Sequence, residues 1–208
     1  MTAEQIIEKF QLYVDDTTEL SSAEELDLLN KVYQKVSDEK LWEILKVEVT
    51  GTMTTTTTIT LPIRFVHLVE NYNYTDNAVS TEINAKPVVV FINNDAKQVV
   101  NWSDRKQYAN NNNVCYVDMR SSVIRFPVAQ ASGATYSFDY KEFPANLTLS
   151  DTPVFPERFQ HILFLGMCID DMAIQLFDKA RSYADQHKAQ YDSYLRDMAL
   201  WNANLQNY

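Results

Sequence analysis

Apolar residues recur at helical spacing at both ends of the chain and at strand spacing between them. In residues 3–46, Ile6, Ile7, Phe10 and Tyr13 form one stripe. Ser21-Ser22-Ala23-Glu24-Glu25 reads as a capping box, with Ser22 as the cap and Glu25 three residues on. The stripe Leu26, Leu29, Val32, Tyr33, Val36 follows at helical spacing. A short third helix is predicted to hold Leu41, Trp42, Ile44 and Leu45, capped by Ser37 or Asp38.

Residues 47–150 change character. Val47-Glu48-Val49-Thr50 opens a strand, and an unbroken threonine run follows from Thr54 to Thr58. Threonine favours strands because its branched Cβ fits a pleated surface. A uniform run specifies register weakly, so it predicts an exposed or edge strand. Low-complexity disorder is the alternative, but Met53, Ile59 and Leu61 alternate as strand positions do. Further strands are predicted at 87–92, 114–118, 123–126 and 135–141, the last with Tyr136, Phe138 and Tyr140 on one face. Asn93-Asn94-Asp95 reads as a turn, 110–113 as a polar loop, and 61–70 as a short helix or a strand.

Residues 151–208 are helical again. Pro153 and Pro156 punctuate the start, where a missing N–H costs nothing. A stripe then runs through Ile162, Leu165, Ile169, Met172, Leu176, Ala180, Tyr183, Tyr191, Tyr194, Met198, Trp201 and Leu205. One helix over this span would be roughly 75 Å long, too long for a compact domain of this size. It therefore either breaks near 182–187 or projects towards another chain. Two helical flanks around strands predict an α+β fold. Both chain ends (1–46 and 151–208) form a helical bundle, with an antiparallel β-barrel or β-sandwich-like module (47–150) inserted.

Composition narrows the function. Net charge is −10. Residues 1–46 carry 11 acids against 5 bases, 47–150 carry 9 against 8, and 151–208 carry 8 against 5. No region offers the clustered cations that phosphate neutralisation needs, so specific DNA binding is disfavoured. Tyrosine is abundant, with 12 residues, and suits protein contacts as well as an aromatic core. Cys115 and Cys168 sit in apolar runs and read as buried free thiols. The charged, amphipathic start is unlike a signal peptide, which leads to an expectation of cytoplasmic synthesis. On that basis the N-x-S/T triplets at Asn73, Asn101 and Asn146 read as chance. No apolar run is long enough to span a bilayer.

A search for chemistry finds little. With three glycines, Gly51, Gly133 and Gly166, the chain has no glycine-rich phosphate loop. His67, His161 and His187 lie in no metal-ligand spacing. Asp170-Asp171 interrupts an apolar run and could be an acid–base or metal pair, but helical neighbours diverge by about 100°. One acid exposed and one paired or capping is the plainer reading. Tyr108, Tyr116, Tyr136 and Tyr140 could stack on sugars or bases, or simply fill a core. No catalytic, metal or cofactor site is expected. An enzyme would need a site assembled around Asp170, Asp171 and His161.

The order of motifs resembles the head-to-tail adaptors of short-tailed bacteriophages, the neck or tail-tubular group. The resemblance begins with Leu41-Trp42, the threonine-rich strand and Leu61-Pro62-Ile63-Arg64-Phe65, where Arg64 replaces the acid of an LPxDF-like turn. It continues through Tyr136-Ser137-Phe138-Asp139-Tyr140-Lys141 and Pro144-Ala145-Asn146-Leu147. It ends in Asp151-Thr152-Pro153-Val154-Phe155-Pro156-Glu157-Arg158-Phe159-Gln160-His161. The resemblance implies a structural virion protein, commonly a ring of twelve copies, between the portal protein and a tail nozzle or tube protein. DNA would pass through its channel without specific binding. It also implies that the C-terminal segment docks on the portal. Tyr191, Tyr194, Leu195, Met198, Trp201, Leu205 and Tyr208 are the candidate anchors. Another virion tail component is the alternative, although a receptor-binding β domain has no need of helical flanks.

Overall fold

The computed structural model describes residues 1–15, 19–40, 42–69 and 88–205. Leu41, Asn73 and Tyr208, named above, and the ends of the predicted elements at 70 and 87 lie outside the described residues. The fold is mixed α+β, and the chain divides into two units. One joins Met1–Leu45 to Phe143–Tyr208; the other is Lys46–Glu142.

In the first unit, α1 (Ala3–Val14) buries Ile6, Ile7, Phe10 and Val14. Thr2 and Gln5 cap it reciprocally, and Asp15 ends it in the left-handed conformation. α2 (Ser22–Asp38) starts one residue earlier than the sequence suggests. Ser21 is the cap, and Glu24 reaches back to the Ser21 N–H at 2.8 Å. Glu25 instead turns inward, only 2 % exposed, and both its oxygens accept from Gln11 Nε2 at 2.8 Å. The Glu24 carboxylate, accepting from both the Ser21 N–H and the Ser21 hydroxyl, selects the first serine. The predicted third helix is reduced to a 3-10 turn, Glu43–Leu45. Trp42 is nevertheless fully buried, its indole N–H donating to Val36 O at 2.7 Å and its ring meeting Phe155 edge-on.

The C-terminal segment breaks, as one of the two sequence alternatives has it, and does so more than once. Four helices replace a single one: α3 (His161–Cys168), α4 (Asp171–Leu176), α5 (Asp178–Ser182) and α6 (Ala184–Leu205). Asp170 stops the first by capping the next, its carboxylate accepting from Met172 N at 3.1 Å. Phe177 adopts an extended backbone between α4 and α5, which sends its ring edge-on to Phe10. Tyr183 separates α5 from α6, inside the predicted break. α3 is apolar all round and buried, so it forms the centre of this unit. Residues 143–150, which the sequence pattern grouped with the strands, pack with the helices. Asn30 exchanges two hydrogen bonds with the Leu147 backbone, at 2.7 and 3.1 Å.

The second unit is one curled, half-barrel sheet. Its strands are β1 (Lys46–Thr52), β2 (Thr58–Thr60), β3 (Phe65–Leu68), β4 (Val89–Ile92), β5 (Asp95–Val99), β6 (Val114–Asp118), β7 (Val123–Arg125) and β8 (Thr135–Glu142). The order is β1-β8-β4-β5-β6-β7-β2, with β3 also on β8. It is not wholly antiparallel, because β5 and β6 run parallel. The pattern missed β5. Asn93 and Asn94 both take positive φ and make a two-residue hairpin, so Asp95 already pairs with Ile92.

The threonine run is not a strand. Thr54 to Thr57 form an exposed bend between β1 and β2. Thr55 Oγ1 accepts from Thr58 N at 3.1 Å, and Thr56 O and Thr57 O accept from Gln130 N and Phe126 N. Local hydroxyl-to-backbone bonds thus displace β pairing. Gly51 faces Tyr136 across the β1–β8 ladder, where a Cβ would stand 2.6 Å from the ring.

Candidate functional site

The C-terminal stripe packs inward. α6 lies against α3, and Met198 and Tyr191 are 0 % and 5 % exposed. Neither has surface left for a partner in this fold. Tyr194, Leu195 and Trp201 are half-buried against the same core. Trp201 packs on Phe159 at 5.4 Å, with the Arg158 guanidinium over both rings. Of the predicted anchors in the described residues, Leu205 is the one that is exposed. Leu200, which is off the stripe, is 67 % exposed. An apolar residue out of phase with its helix was the signal available for it in the sequence.

Asn202 anchors the far end of α6, its Oδ1 accepting from Glu43 N at 2.7 Å. At the near end, His187 Nε2 and Tyr13 Oη are 2.7 Å apart. Tyr191 is also in this core, and burial pushes its phenol up to about 12. Its hydroxyl has no hydrogen-bond partner among the described residues.

The other candidates separate in space. His161 opens α3, whereas Asp170 follows its end, about 13 Å along the axis at 1.5 Å per residue. Asp170 is occupied by its cap and by Lys31 Nζ at 2.7 Å, and Asp171 is exposed. His161 Nδ1 lies 3.0 Å from Lys9 Nζ, and its ring stacks on Phe164. These three residues therefore do not converge on a reacting atom. Among the described residues, no group of three or more His, Cys, Asp or Glu is placed to hold a metal, and no helix is long and apolar enough to cross a membrane. Both thiols are free and buried, and burial pushes each up to about 12.

In the sheet unit, Tyr136 stacks on Phe138, Phe138 tilts against Tyr140, and Tyr140 stacks on Phe65. These aromatics pack on one another as core. The sheet also has an open apolar groove of about 390 Å³, lined by residues that include Phe65, Leu68, Val99, Val117, Trp102 and Met119. Trp102 and Met119 remain 40 % and 59 % exposed. The Arg105 guanidinium lies 4.0 Å over the Trp102 ring. No periodic signal marked this groove, because its walls come from three strands, β3, β5 and β6, and the segments beside them.

No curated protein matches the chain. The family model described as SU10 adaptor protein matches residues 1–207. That match agrees with the resemblance carried by the motifs from Leu61 to His161. The chain belongs to the SU10 adaptor protein family, a family of bacteriophage adaptor proteins.

Proposed function

We propose that the protein is a ring-forming head-to-tail adaptor, joining the portal protein to the tail nozzle or tube and continuing the DNA channel. The observation that carries this reading is the family match along residues 1–207. A structural role in the virion follows from the family. In this reading the helices of the first unit form a bundle and the strands of the second a barrel-like or sandwich-like module, as expected for residues 1–46 with 151–208 and for 47–150. The ring, of about twelve copies as the family resemblance implies, surrounds DNA without gripping it. The net charge of −10 supports this, because an acidic wall does not compete for phosphates.

The portal-facing element in this proposal is the C-terminal end of α6. Leu200 and Leu205 present apolar surface there, and the chain continues to Tyr208. Tyr194, Leu195 and Trp201 hold the helix in place beneath that contact, and Tyr191 and Met198 form its buried base. Electron microscopy of the purified protein, alone and mixed with the portal of the same phage, tests the proposal. Rings that cap the portal support it. Monomers indifferent to the portal sink it.

A further inference from the structure

Two of the three histidines meet where α1, α3 and α6 come together. His161 stacks on Phe164 with centroids 5.1 Å apart and meets the edge of Tyr194 at 5.5 Å. His187 meets Tyr13 at 5.0 Å and Phe164 at 6.3 Å, both edge-on. Phe164 therefore lies between the two imidazoles and also meets Tyr13 edge-on. Lys9 Nζ sits 5.2 Å from the Phe164 centroid.

The surroundings of both rings oppose a positive charge, through a hydrogen bond at His161 and through burial at His187. Lys9 has only donors, so His161 Nδ1 must accept from it at 3.0 Å. A proton on Nδ1 would remove that bond and set two cations against each other. The Tyr13 hydroxyl lies 3.4 Å from Lys179 O and shares a 2.7 Å hydrogen bond with His187 Nε2, whose direction follows the imidazole tautomer. His187 Nδ1 is buried, and the Gln190 side chain faces the ring. A second proton on this ring would create a buried cation.

We propose that Tyr13, His161 and His187 form an acid-sensitive latch, which fastens α6 to α1 and α3 while both imidazoles are neutral and releases α6 when they are protonated.

The surroundings agree. The groups facing the rings are Lys9 and Tyr13 from α1, Lys179 from α5, Gln190 and Tyr194 from α6, and Tyr183 and Cys168 beside Tyr13. None of these is a carboxylate that would welcome the charge. Burial holds both histidines below the usual 6.5, and Lys9 adds to this at His161. The Gln190 amide works the other way at His187 and is outweighed. Because the folded values are depressed, the latch is fully fastened above about pH 6.5. It loosens as pH falls through that value towards the folded ones.

The test uses the full chain. Imidazole C–H resonances are titrated by NMR against a blocked histidine in the same buffer as the free imidazole reference. Amide exchange over residues 184–205 is compared with that over 22–38 between pH 7.5 and 5, corrected for intrinsic rates. His161 and His187 are expected to titrate below the free imidazole reference. Exchange in α6 should quicken more than in α2 as pH falls through the folded midpoints. Lys9→Met, which removes an exposed cation, should raise the His161 midpoint and blunt the acceleration; His161→Gln/His187→Gln should abolish it. His161 and His187 midpoints at or above the free imidazole reference overturn the latch. So does equal quickening of α2 and α6, or an acceleration untouched by Lys9→Met. The outcome is independent of whether the protein forms rings.

Discussion

Gly166 and Val32 pack so closely that the α3 glycine has no room for a Cβ: a methyl group there would overlap Val32 Cγ1 and stand 3.4 Å from Tyr191 Cε2. Two effects then oppose each other in Gly166→Ala. Helix propensity favours alanine by about 1 kcal/mol. Overpacking a core costs about 1–3 kcal/mol, and Val32 is 3 % exposed. Gly166→Ala is therefore expected to destabilise the protein by about 1 kcal/mol in urea unfolding. Combined with Val32→Ala, the loss should fall short of the sum by about 1 kcal/mol or more. Strict additivity would show that the contact is not the cause.

Asn30 should matter far more than its neighbour on the next turn of α2. Its amide satisfies both the N–H and the carbonyl of Leu147 in a buried position. Asn30→Ala leaves two buried backbone groups unpaired and should cost about 2–4 kcal/mol. Gln34 donates to Pro144 O at a part-buried site. Gln34→Ala should cost less than about 1 kcal/mol. Equal losses in chemical denaturation would refute this ranking.

The Lys31–Asp170 pair separates capping from charge. Lys31 is 64 % exposed along its side chain, so Lys31→Met should change stability by less than about 0.5 kcal/mol. Asp170→Ala also removes the α4 cap and should cost about 1–2 kcal/mol. Asp170→Ser retains a capping hydroxyl and should recover most of the loss. If Lys31→Met proved as damaging as Asp170→Ala, the ion pair would be the larger contribution.

Neither cysteine should react in the native protein. Cys115 and Cys168 are both 0 % exposed, and burial pushes their thiols up to about 12. Thiolate, the reactive form, is then about one part in ten thousand at pH 8. Titration with a chromogenic disulfide should find no fast thiol at pH 8 and two after denaturation. A fast native thiol would mean that one of the two units opens readily.

Much of the fold is legible in the chain because its cause is local. The stripes of α1 and α2, the alternation of Tyr136, Phe138 and Tyr140 in β8, and the motifs from Leu61 to His161 are properties of neighbouring residues. So is the adaptor family, which those motifs carry. The misplaced features share a different cause. In α2, Ser21 and Ser22 are equivalent on paper, and only the geometry of the Glu24 carboxylate chose between them. Threonines 54–57 have strand propensity, but pinning by Gln130 and Phe126 made them a bend.

The C-terminal stripe marks the division most clearly. Within α6 its periodicity picks out Tyr191, Tyr194, Met198 and Trp201, which pack on one core, because 3.6 residues per turn is an intrinsic property of the backbone; upstream of the breaks, Leu176 and Tyr183 are exposed. Whether that face meets α3 or another chain is not encoded in the period. Tertiary structure decided it: breaks at Asp170, Phe177 and Tyr183 fold the segment back, so the stripe buries Tyr191 and Met198 within its own unit. The meeting of His161, His187 and Tyr13 arises in the same way, from elements up to 174 residues apart that come together only when α1, α3 and α6 pack.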